Sequence, residues 1–193
     1  MADVLLFHHV CGLTAGVRAL ATELRSWGHR VVTPDLFDGA TFPSIEEGVA
    51  HVSSVGFDAI VERGIAAAGI VDGMVVAGIS LGVMPAQQLA QTRRGVRGAI
   101  LLEACAPPAA FGRGWADGVP VQIHGMDADP FFAGEGDVDA ARTLVDVAAR
   151  TARAELHLYP GAGHLFIDSS LPSYDAEAAS LARDRMRDFL DST

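Results

Sequence analysis

A strand, a five-residue turn and a helix that follow one another without a break place the strongest constraint on how this chain folds. The apolar run Met74-Val75-Val76-Ala77 leads into Gly78-Ile79-Ser80-Leu81-Gly82, and residues 83–89 continue with helical character. Glycine at both ends of the pentapeptide removes the Cβ atoms that would clash in so tight a turn. The pattern predicts that Ser80 lies at a sharp strand-to-helix corner in a strained backbone conformation, the arrangement of a nucleophile elbow.

The rest of the chain alternates short apolar runs with segments of helical periodicity, the pattern of β-α units around a parallel sheet. The predicted strands are rich in Val, Ile and Leu and nearly continuously apolar, as expected for strands covered on both faces. They are Val4–His8, Arg30–Thr33, Gly73–Gly78, Gly98–Glu103, Val119–His124 and Ala154–Tyr159. With the serine elbow, this predicts an α/β-hydrolase fold, with a mostly parallel sheet of about six to seven strands and helices on both faces.

Five helices are predicted between and after these strands. Ser44-Ile45-Glu46-Glu47 is a capping box that opens a helix running towards Ala68, and Asp137 is predicted to cap another. The predicted ranges are Leu13–Trp27, Ser44–Ala68, Leu81–Thr92, Asp137–Thr151 and Asp175–Leu190. Two Gly/Pro-rich loops, residues 35–43 and 106–120, are predicted rims of a pocket, because α/β sheets bind ligands beyond the carboxyl ends of their strands.

The chain has 193 residues, half of them apolar, which suits one domain over residues 1–193 with a minimal lid or none. A net charge of −10 argues against a nucleic-acid partner. The apolar run at the N-terminus stops at Phe7, too short to span a bilayer, and it lacks the features of a signal peptide. Cys11 and Cys105 are interpreted as buried thiols of a cytoplasmic protein. The sequence gives no indication of oligomeric state.

A serine hydroxyl becomes a good nucleophile only when a base takes its proton. In this fold the acid and then the histidine follow the serine along the chain. His164, in the glycine-rich turn after the last predicted strand, is the predicted base, whereas His157 lies inside that strand. Asp127 and Asp129 both follow the preceding strand. Asp129, which precedes a proline, is favoured as the residue that orients the histidine, and Asp127 remains the alternative.

The backbone N–H of Leu81, directly after the serine, and that of Val10, in the loop after the first strand, are the predicted donors of an oxyanion hole. The neighbours His8 and His9 lie on a strand, where adjacent side chains point to opposite faces, so they are not expected to share a metal ion. No metal-binding or nucleotide-binding motif occurs in the sequence. We therefore expect neither a metal nor an organic cofactor.

Other residues are candidates for contact with a small-molecule substrate because they lie in loops or at strand ends. Glu103, at the end of the fourth predicted strand, either lines the pocket or bonds a loop. The full set of candidates is His9, Cys11, Phe37, Glu103, Trp115 and Phe131.

Four segments together resemble the dienelactone hydrolase family over nearly the whole chain. They are residues 6–14 (LFHHVCGLT), 28–39 (GHRVVTPDLFDG), 124–132 (HGMDADPFF) and 159–166 (YPGAGHLF). The resemblance implies that Asp129 and His164 are the partners of the nucleophile. The best-known members carry a cysteine where this chain has Ser80. They also carry a glutamate in the oxyanion loop at the position that resembles His9 of this chain, so the thiol machinery is not reproduced.

These features lead us to expect a serine hydrolase that cleaves a small ester or lactone through an acyl-enzyme. The same three residues also serve acyl transfer or cyclisation, and the same fold also serves ligand binding without turnover. An acyltransferase, a cyclase and a ligand-binding module are therefore the alternatives at this point.

Overall fold

A computed structural model describes residues 1–69 and 73–193 of the chain. Within these residues, six parallel strands form one sheet in the order β2-β1-β3-β4-β5-β6. The strands are β1 (Asp3–Phe7), β2 (Arg30–Val32), β3 (Met74–Ile79), β4 (Gly98–Leu102), β5 (Val121–Met126) and β6 (Ala154–Tyr159). All six were predicted, with ends that differ by up to two residues.

The burial of each strand follows its place in the sheet. Every residue of β3, β4 and β5 is buried, because these strands have neighbours on both sides and helices over both faces. The edge strands β2 and β6 are partly exposed, and Val32 on β2 is 60% exposed. The continuous apolar runs of the sequence therefore belong to the centre of the sheet.

Six helices complete the domain among the described residues. They are α1 (Ala15–Ser26), α2 (Ile45–Val55), α3 (Phe57–Ala67), α4 (Val83–Thr92), α5 (Asp137–Ala148) and α6 (Ala176–Ser192). Short 3₁₀ turns occupy Ser80–Gly82 and Pro108–Ala110. The side chains of Thr14, Ser44 and Asp175 accept hydrogen bonds from the first amides of α1, α2 and α6.

Two details of the helix prediction were wrong. The single helix expected over Ser44–Ala68 is two helices, because Gly56 has a φ of 101° and breaks the hydrogen-bond ladder between α2 and α3. Asp137 is the first residue of α5 rather than its cap. Its carboxylate instead accepts a hydrogen bond from the backbone amide of Cys105, at 3.1 Å.

The order of the strands reverses direction at β1, because β2 lies on one side of it and all later strands lie on the other. Right-handed crossovers then place α1 on the opposite face from α3 and α4. On the α1 face, Arg183 of α6 forms a 3.2 Å ion pair with Glu23 of α1. The carboxyl ends of β1 and β3 lie side by side at this reversal, which is where ligands bind in open α/β sheets. Ser80 follows β3 directly, and Val10 belongs to the loop that follows β1.

Candidate active site

Ser80 lies at the corner between β3 and α4 and has a φ of 50°, a conformation that is rare for residues other than glycine. The glycines on either side make this corner possible. A Cβ added to Gly78 would lie 2.2 Å from the carbonyl oxygen of Gly82, and one added to Gly82 would lie 2.5 Å from the carbonyl oxygen of Phe7. The strained corner that the pentapeptide predicted is therefore present, and it turns the serine away from the sheet.

Three side chains form a continuous hydrogen-bonded chain at this corner. Ser80 Oγ lies 2.9 Å from His164 Nε2, and His164 Nδ1 lies 2.7 Å from Asp129 Oδ2. The Asp129 side chain is fully buried, and its second oxygen accepts the backbone amide of Phe131 at 2.9 Å. Because one carboxylate oxygen is held by an amide and the other by the imidazole, the ring is fixed with Nε2 towards the serine. This is the arrangement that activates a serine hydroxyl.

The alternative histidine and acid lie elsewhere. The carboxylate of Asp127 accepts the backbone amide of Gly161 at 3.1 Å and so holds the turn that precedes His164. His157 lies on β6 as predicted, and its ring lies beside that of His124. Among the described residues, the structure thus brings Asp129 and His164 to Ser80 and leaves Asp127 and His157 in supporting positions.

The two predicted oxyanion donors, Val10 and Leu81, line the same cavity as Ser80. Leu81 stands in the first turn of the helical segment after the serine, where backbone N–H groups have no partner within the helix. The backbone amide of Val10 has no hydrogen-bond acceptor among the described residues. Both amides are therefore unpaired among the described residues.

The cavity above Ser80 has a volume of about 430 Å³. One wall is apolar and comes mainly from α2, α3 and α4, with the residues Ile45, Val49, Val52, Phe57 and Met84. A second part of the lining, the carboxyl wall, consists of Glu103, Glu135 and Asp137. Phe131 also lines the cavity, and its ring centre lies 4.7 Å from that of His164. Neither Lys nor Arg is present among the described lining residues.

The charge of the cavity follows from its carboxyl wall. Burial raises the pKa of Asp137, and burial together with nearby Asp129 and Asp168 raises the pKa of Glu103 well above its usual range. Both groups therefore hold a proton more readily than free side chains do. Glu135 is exposed at the rim. The wall therefore carries acidic groups without a cationic partner among the described lining residues.

Glu103 has both of the roles that the sequence left open, lining the pocket and bonding a loop. It lines the cavity, and its Oε1 accepts the backbone amide of Phe166 at 2.6 Å. Its other oxygen, Oε2, has no hydrogen-bond partner among the described residues. Glu103 and Leu165 have φ values of 64° and 65°. The carboxyl group of Glu103 thus connects its own strained position to the segment directly after His164, where Leu165 is the second strained position.

Four of the predicted pocket residues do not line this cavity, namely His9, Phe37, Trp115 and Cys11. His9 is buried against Asp168, with a distance of 2.7 Å between Nε2 and Oδ2. Phe37 is buried and packs on His8 and His51. Trp115 is buried and donates to the carbonyl of Val119. These side chains fill the interior under their loops, a role that sequence alone does not separate from substrate binding.

Cys11 lines a different, smaller groove beside Leu165 and Pro172 rather than the cavity at Ser80. Burial raises the pKa of its thiol to about 11, and burial also raises the pKa of Cys105. Thiols of this kind remain protonated at neutral pH and are poor nucleophiles. Ser80 is therefore the nucleophile candidate at the mouth of the sheet.

Sequence reasoning missed the apolar wall and two of the three carboxyl groups. Val49 and Phe57, on two consecutive helices, are apolar residues with exposed fractions of 50% and 48%. Val49 and Val52 lie about one turn apart on α2, so they share a face. The available signal was thus an apolar stripe on a helix that follows a predicted rim loop. Glu135 and Asp137 carried no signal beyond their closeness to Asp129 in the sequence.

The described residues contain no cluster of three or more His, Cys, Asp or Glu side chains with the geometry of a metal site. Within the same residues, no helix combines the length and the apolar character needed to cross a bilayer.

Solved structures with the same architecture confirm the predicted α/β-hydrolase fold. A dienelactone hydrolase-like promiscuous phosphotriesterase from metagenomic libraries superposes with a TM-score of 0.76 at 17% identity, over 100% of this chain and 86% of that one. Esterase 2 of Thermogutta terrifontis, in a form phosphoramylated by tabun, superposes with a TM-score of 0.63 at 17% identity, over 99% of this chain and 83% of that one. At these identities the likeness establishes the fold.

A metagenome-derived lipolytic enzyme superposes with a TM-score of 0.66 at 16% identity, over 100% of this chain and 94% of that one. No curated protein matches the sequence significantly. The sequence model of the dienelactone hydrolase family, in contrast, matches residues 2–193. The resemblance noted in four segments therefore extends over the whole chain, and this protein belongs to the dienelactone hydrolase family, a family of hydrolases.

Proposed function

We propose that this protein is a serine hydrolase that cleaves a small, uncharged ester or lactone through an acyl-enzyme. The observation that carries the proposal is the hydrogen-bonded chain from Ser80 through His164 to Asp129, which opens into a cavity with two free backbone amides. A serine so placed, beside a base that is itself oriented by a buried carboxylate, is set up for nucleophilic attack.

In the first half-reaction, Ser80 Oγ attacks the carbonyl carbon while its proton passes to His164 Nε2. The carbonyl oxygen becomes an oxyanion and accepts hydrogen bonds from the amides of Val10 and Leu81. When the tetrahedral intermediate collapses, the bond to the leaving alkoxide breaks and His164 returns the proton to that oxygen. For a lactone, the leaving oxygen remains tethered to the acyl group.

In the second half-reaction, a water molecule gives a proton to His164 and attacks the acyl carbon. The new tetrahedral intermediate collapses, Ser80 regains its proton and the carboxylic acid leaves. Asp129 remains ionised throughout and stabilises the imidazolium that forms twice in the cycle. Each half-reaction therefore uses the same base and the same two amides.

The dimensions and chemistry of the cavity support a small substrate. A volume of about 430 Å³ lies at the lower end of the range for small-molecule sites. The apolar wall suits the alkyl or ring portion of an acyl or alcohol group. A carboxyl-bearing wall without Lys or Arg among the described lining residues favours a substrate that carries no negative charge.

Hydrolysis of p-nitrophenyl acetate and labelling by a fluorophosphonate test the proposal together. We expect the parent protein to hydrolyse the ester and to incorporate one label on Ser80. We expect Ser80→Ala to lose both activities while its thermal unfolding remains cooperative. Ser53→Ala is the matched control, because Ser53 lines the same cavity, and it should keep both activities.

The proposal fails if Ser80→Ala hydrolyses the ester as fast as the parent protein, or if the label is found on another residue. It also fails if the folded parent protein neither hydrolyses esters nor reacts with the probe, which is the behaviour expected of a ligand-binding module.

A further inference from the structure

A second buried histidine–aspartate pair lies next to the proposed site and has no part in the proton transfers described above. His9 Nε2 lies 2.7 Å from Asp168 Oδ2, and both side chains are fully buried. His9 belongs to the loop after β1, which also carries Val10. Asp168 comes four residues after His164 in the chain. The pair therefore joins the segment of the proposed base to the loop of a proposed oxyanion donor.

Asp168 is held in place by several donors. Besides His9, its carboxylate accepts the hydroxyl of Thr14 at 2.5 Å, and the amide and hydroxyl of Ser170 at 2.8 and 2.6 Å. Burial alone would raise the pKa of Asp168, but the hydrogen bonds from His9, Ser170 and Thr14 outweigh it and lower the pKa to about 2. A Cβ on Gly16 would lie only 1.7 Å from Oδ1, so the carboxylate rests directly against the start of α1. It is a rigid, charged acceptor for the His9 ring.

The other nitrogen of His9 organises the loop that follows. Nδ1 accepts the backbone amide of Cys11 at 3.2 Å, and the His9 carbonyl accepts the amide of Gly12 at 3.0 Å. Because Nδ1 accepts, the ring hydrogen is on Nε2 and is donated to Asp168. The amides of Cys11 and Gly12 are therefore occupied, and the amide of Val10 is the one that has no acceptor among the described residues.

We propose that His9, anchored by Asp168, is a positioning residue that sets the Val10 amide as the second oxyanion donor. The proposal rests on the hydrolysis proposed above, since it assigns a role within that reaction. His9 touches neither the nucleophile nor the base, so it acts through the conformation of the loop. A displacement of about 1 Å in such a donor can lower turnover by about 10²-fold, because the donor must meet the oxyanion and not the ground-state carbonyl.

Two substitutions at His9 distinguish the role of Nδ1 from that of Nε2. The side-chain oxygen of Asn lies as many bonds from Cα as His Nδ1 does, so His9→Asn retains an acceptor for the Cys11 amide. The side-chain nitrogen of Gln corresponds to Nε2, so His9→Gln retains a donor to Asp168 and loses that acceptor. We expect kcat for p-nitrophenyl acetate to fall by about 10²-fold in His9→Gln, with KM within about threefold. We expect His9→Asn to recover kcat to within about tenfold of the parent protein.

Ser170→Ala is the matched control for stability. It removes one hydrogen bond from Asp168, and one from the amide of Gly16, while the His9–Asp168 pair and the Cys11 contact remain. We expect it to lower the unfolding temperature and to leave kcat within about threefold. A merely structural role for His9 predicts instead that kcat falls equally in Ser170→Ala and His9→Gln when the two are equally destabilised, and that result would overturn the proposal.

A trifluoromethyl ketone reports on the Val10 amide directly, because its adduct with a serine carries an oxyanion. In the parent protein we expect the amide proton of Val10 to shift downfield in the NMR spectrum when the ketone binds. In His9→Gln we expect this shift to be lost and the inhibition constant to rise by the factor by which kcat/KM falls. A Val10 amide that does not respond, in a protein whose Ser80 is labelled normally, refutes the role of His9 and leaves the hydrolase intact. If neither the ketone nor the fluorophosphonate modifies Ser80, the proposed function itself fails.

Discussion

Asp129 Oδ2 lies 2.7 Å from His164 Nδ1, whereas the carboxylate of Asp127, only two residues earlier, accepts the amide of Gly161. The two acids can therefore be separated by matched substitutions. We expect Asp129→Asn to lower kcat by about 10⁴-fold, because an amide favours the wrong tautomer of the histidine. We expect Asp127→Asn to keep kcat within about threefold, as Asn can still accept the Gly161 amide. Steady-state hydrolysis of p-nitrophenyl acetate measures kcat for both variants. A larger fall in kcat for Asp127→Asn than for Asp129→Asn would assign the orienting role to Asp127 instead.

Replacement of Glu103 should change how stability depends on pH. Burial raises the pKa of Glu103, so above about pH 4.3 the unfolded chain loses this proton while the folded protein retains it. The group therefore lowers the free energy of unfolding progressively as the pH rises towards its folded pKa. Glu103→Gln keeps an acceptor for the Phe166 amide. In this variant we expect the free energy of unfolding to decrease less between pH 5 and 8 than in the parent protein.

Urea unfolding at the two pH values measures this difference. Glu103→Leu is the comparison, since it removes the acceptor and leaves the buried amide of Phe166 unpaired, at a cost of about 1–3 kcal/mol. A Glu103→Gln protein that loses more stability than the parent between pH 5 and 8 would contradict the expectation.

Asp168 should have the opposite effect at acid pH. Its folded pKa of about 2 lies below the unfolded value of about 3.9, so its stabilisation is present above the unfolded pKa and is lost as the pH falls through the folded one. We expect Asp168→Asn to lower the free energy of unfolding by about 2 kcal/mol at neutral pH. The difference from the parent protein should shrink between about pH 5 and pH 2.

Chemical denaturation across this pH range tests the expectation. Asp139→Asn, on the exposed surface of α5, is the control and should change stability little. An Asp168→Asn deficit that stays constant from pH 7 to pH 2 would show that the lost stability does not come from the ionised carboxylate.

The charge of the cavity predicts a preference among esters of similar size. We expect kcat/KM for the neutral p-nitrophenyl butyrate to exceed that for the mono-p-nitrophenyl ester of succinic acid by at least about tenfold, because the carboxyl wall repels an anion. The double variant Glu135→Gln/Asp137→Asn should narrow this ratio, and added salt should narrow it in the parent protein. A faster reaction with the anionic ester would show that the carboxyl wall does not select for charge.

Much of the fold was predictable because its signals are local. Two glycines between a strand and a helix indicate the elbow at Ser80. The strands β3 and β4 are recognisable as continuous apolar runs because both of their faces are covered. Gly56 was the exception. Glycine is tolerated within helices, so its presence does not reveal that the backbone adopts a positive φ there and divides the predicted helix.

The parts of the candidate site that could be predicted from the sequence are those whose order along the chain mirrors their order in space. Ser80, Asp129 and His164 each follow a parallel strand, and the carboxyl ends of such strands meet at one edge of the sheet. Three features became visible in the folded chain alone. These are the acid that contacts the histidine, the contacts of Glu103 and Asp168 that hold the segment after it, and the apolar wall formed by α2 and α3. These contacts join residues far apart in the chain, and they depend on side-chain direction and on helix placement, for which the sequence carries no local signal.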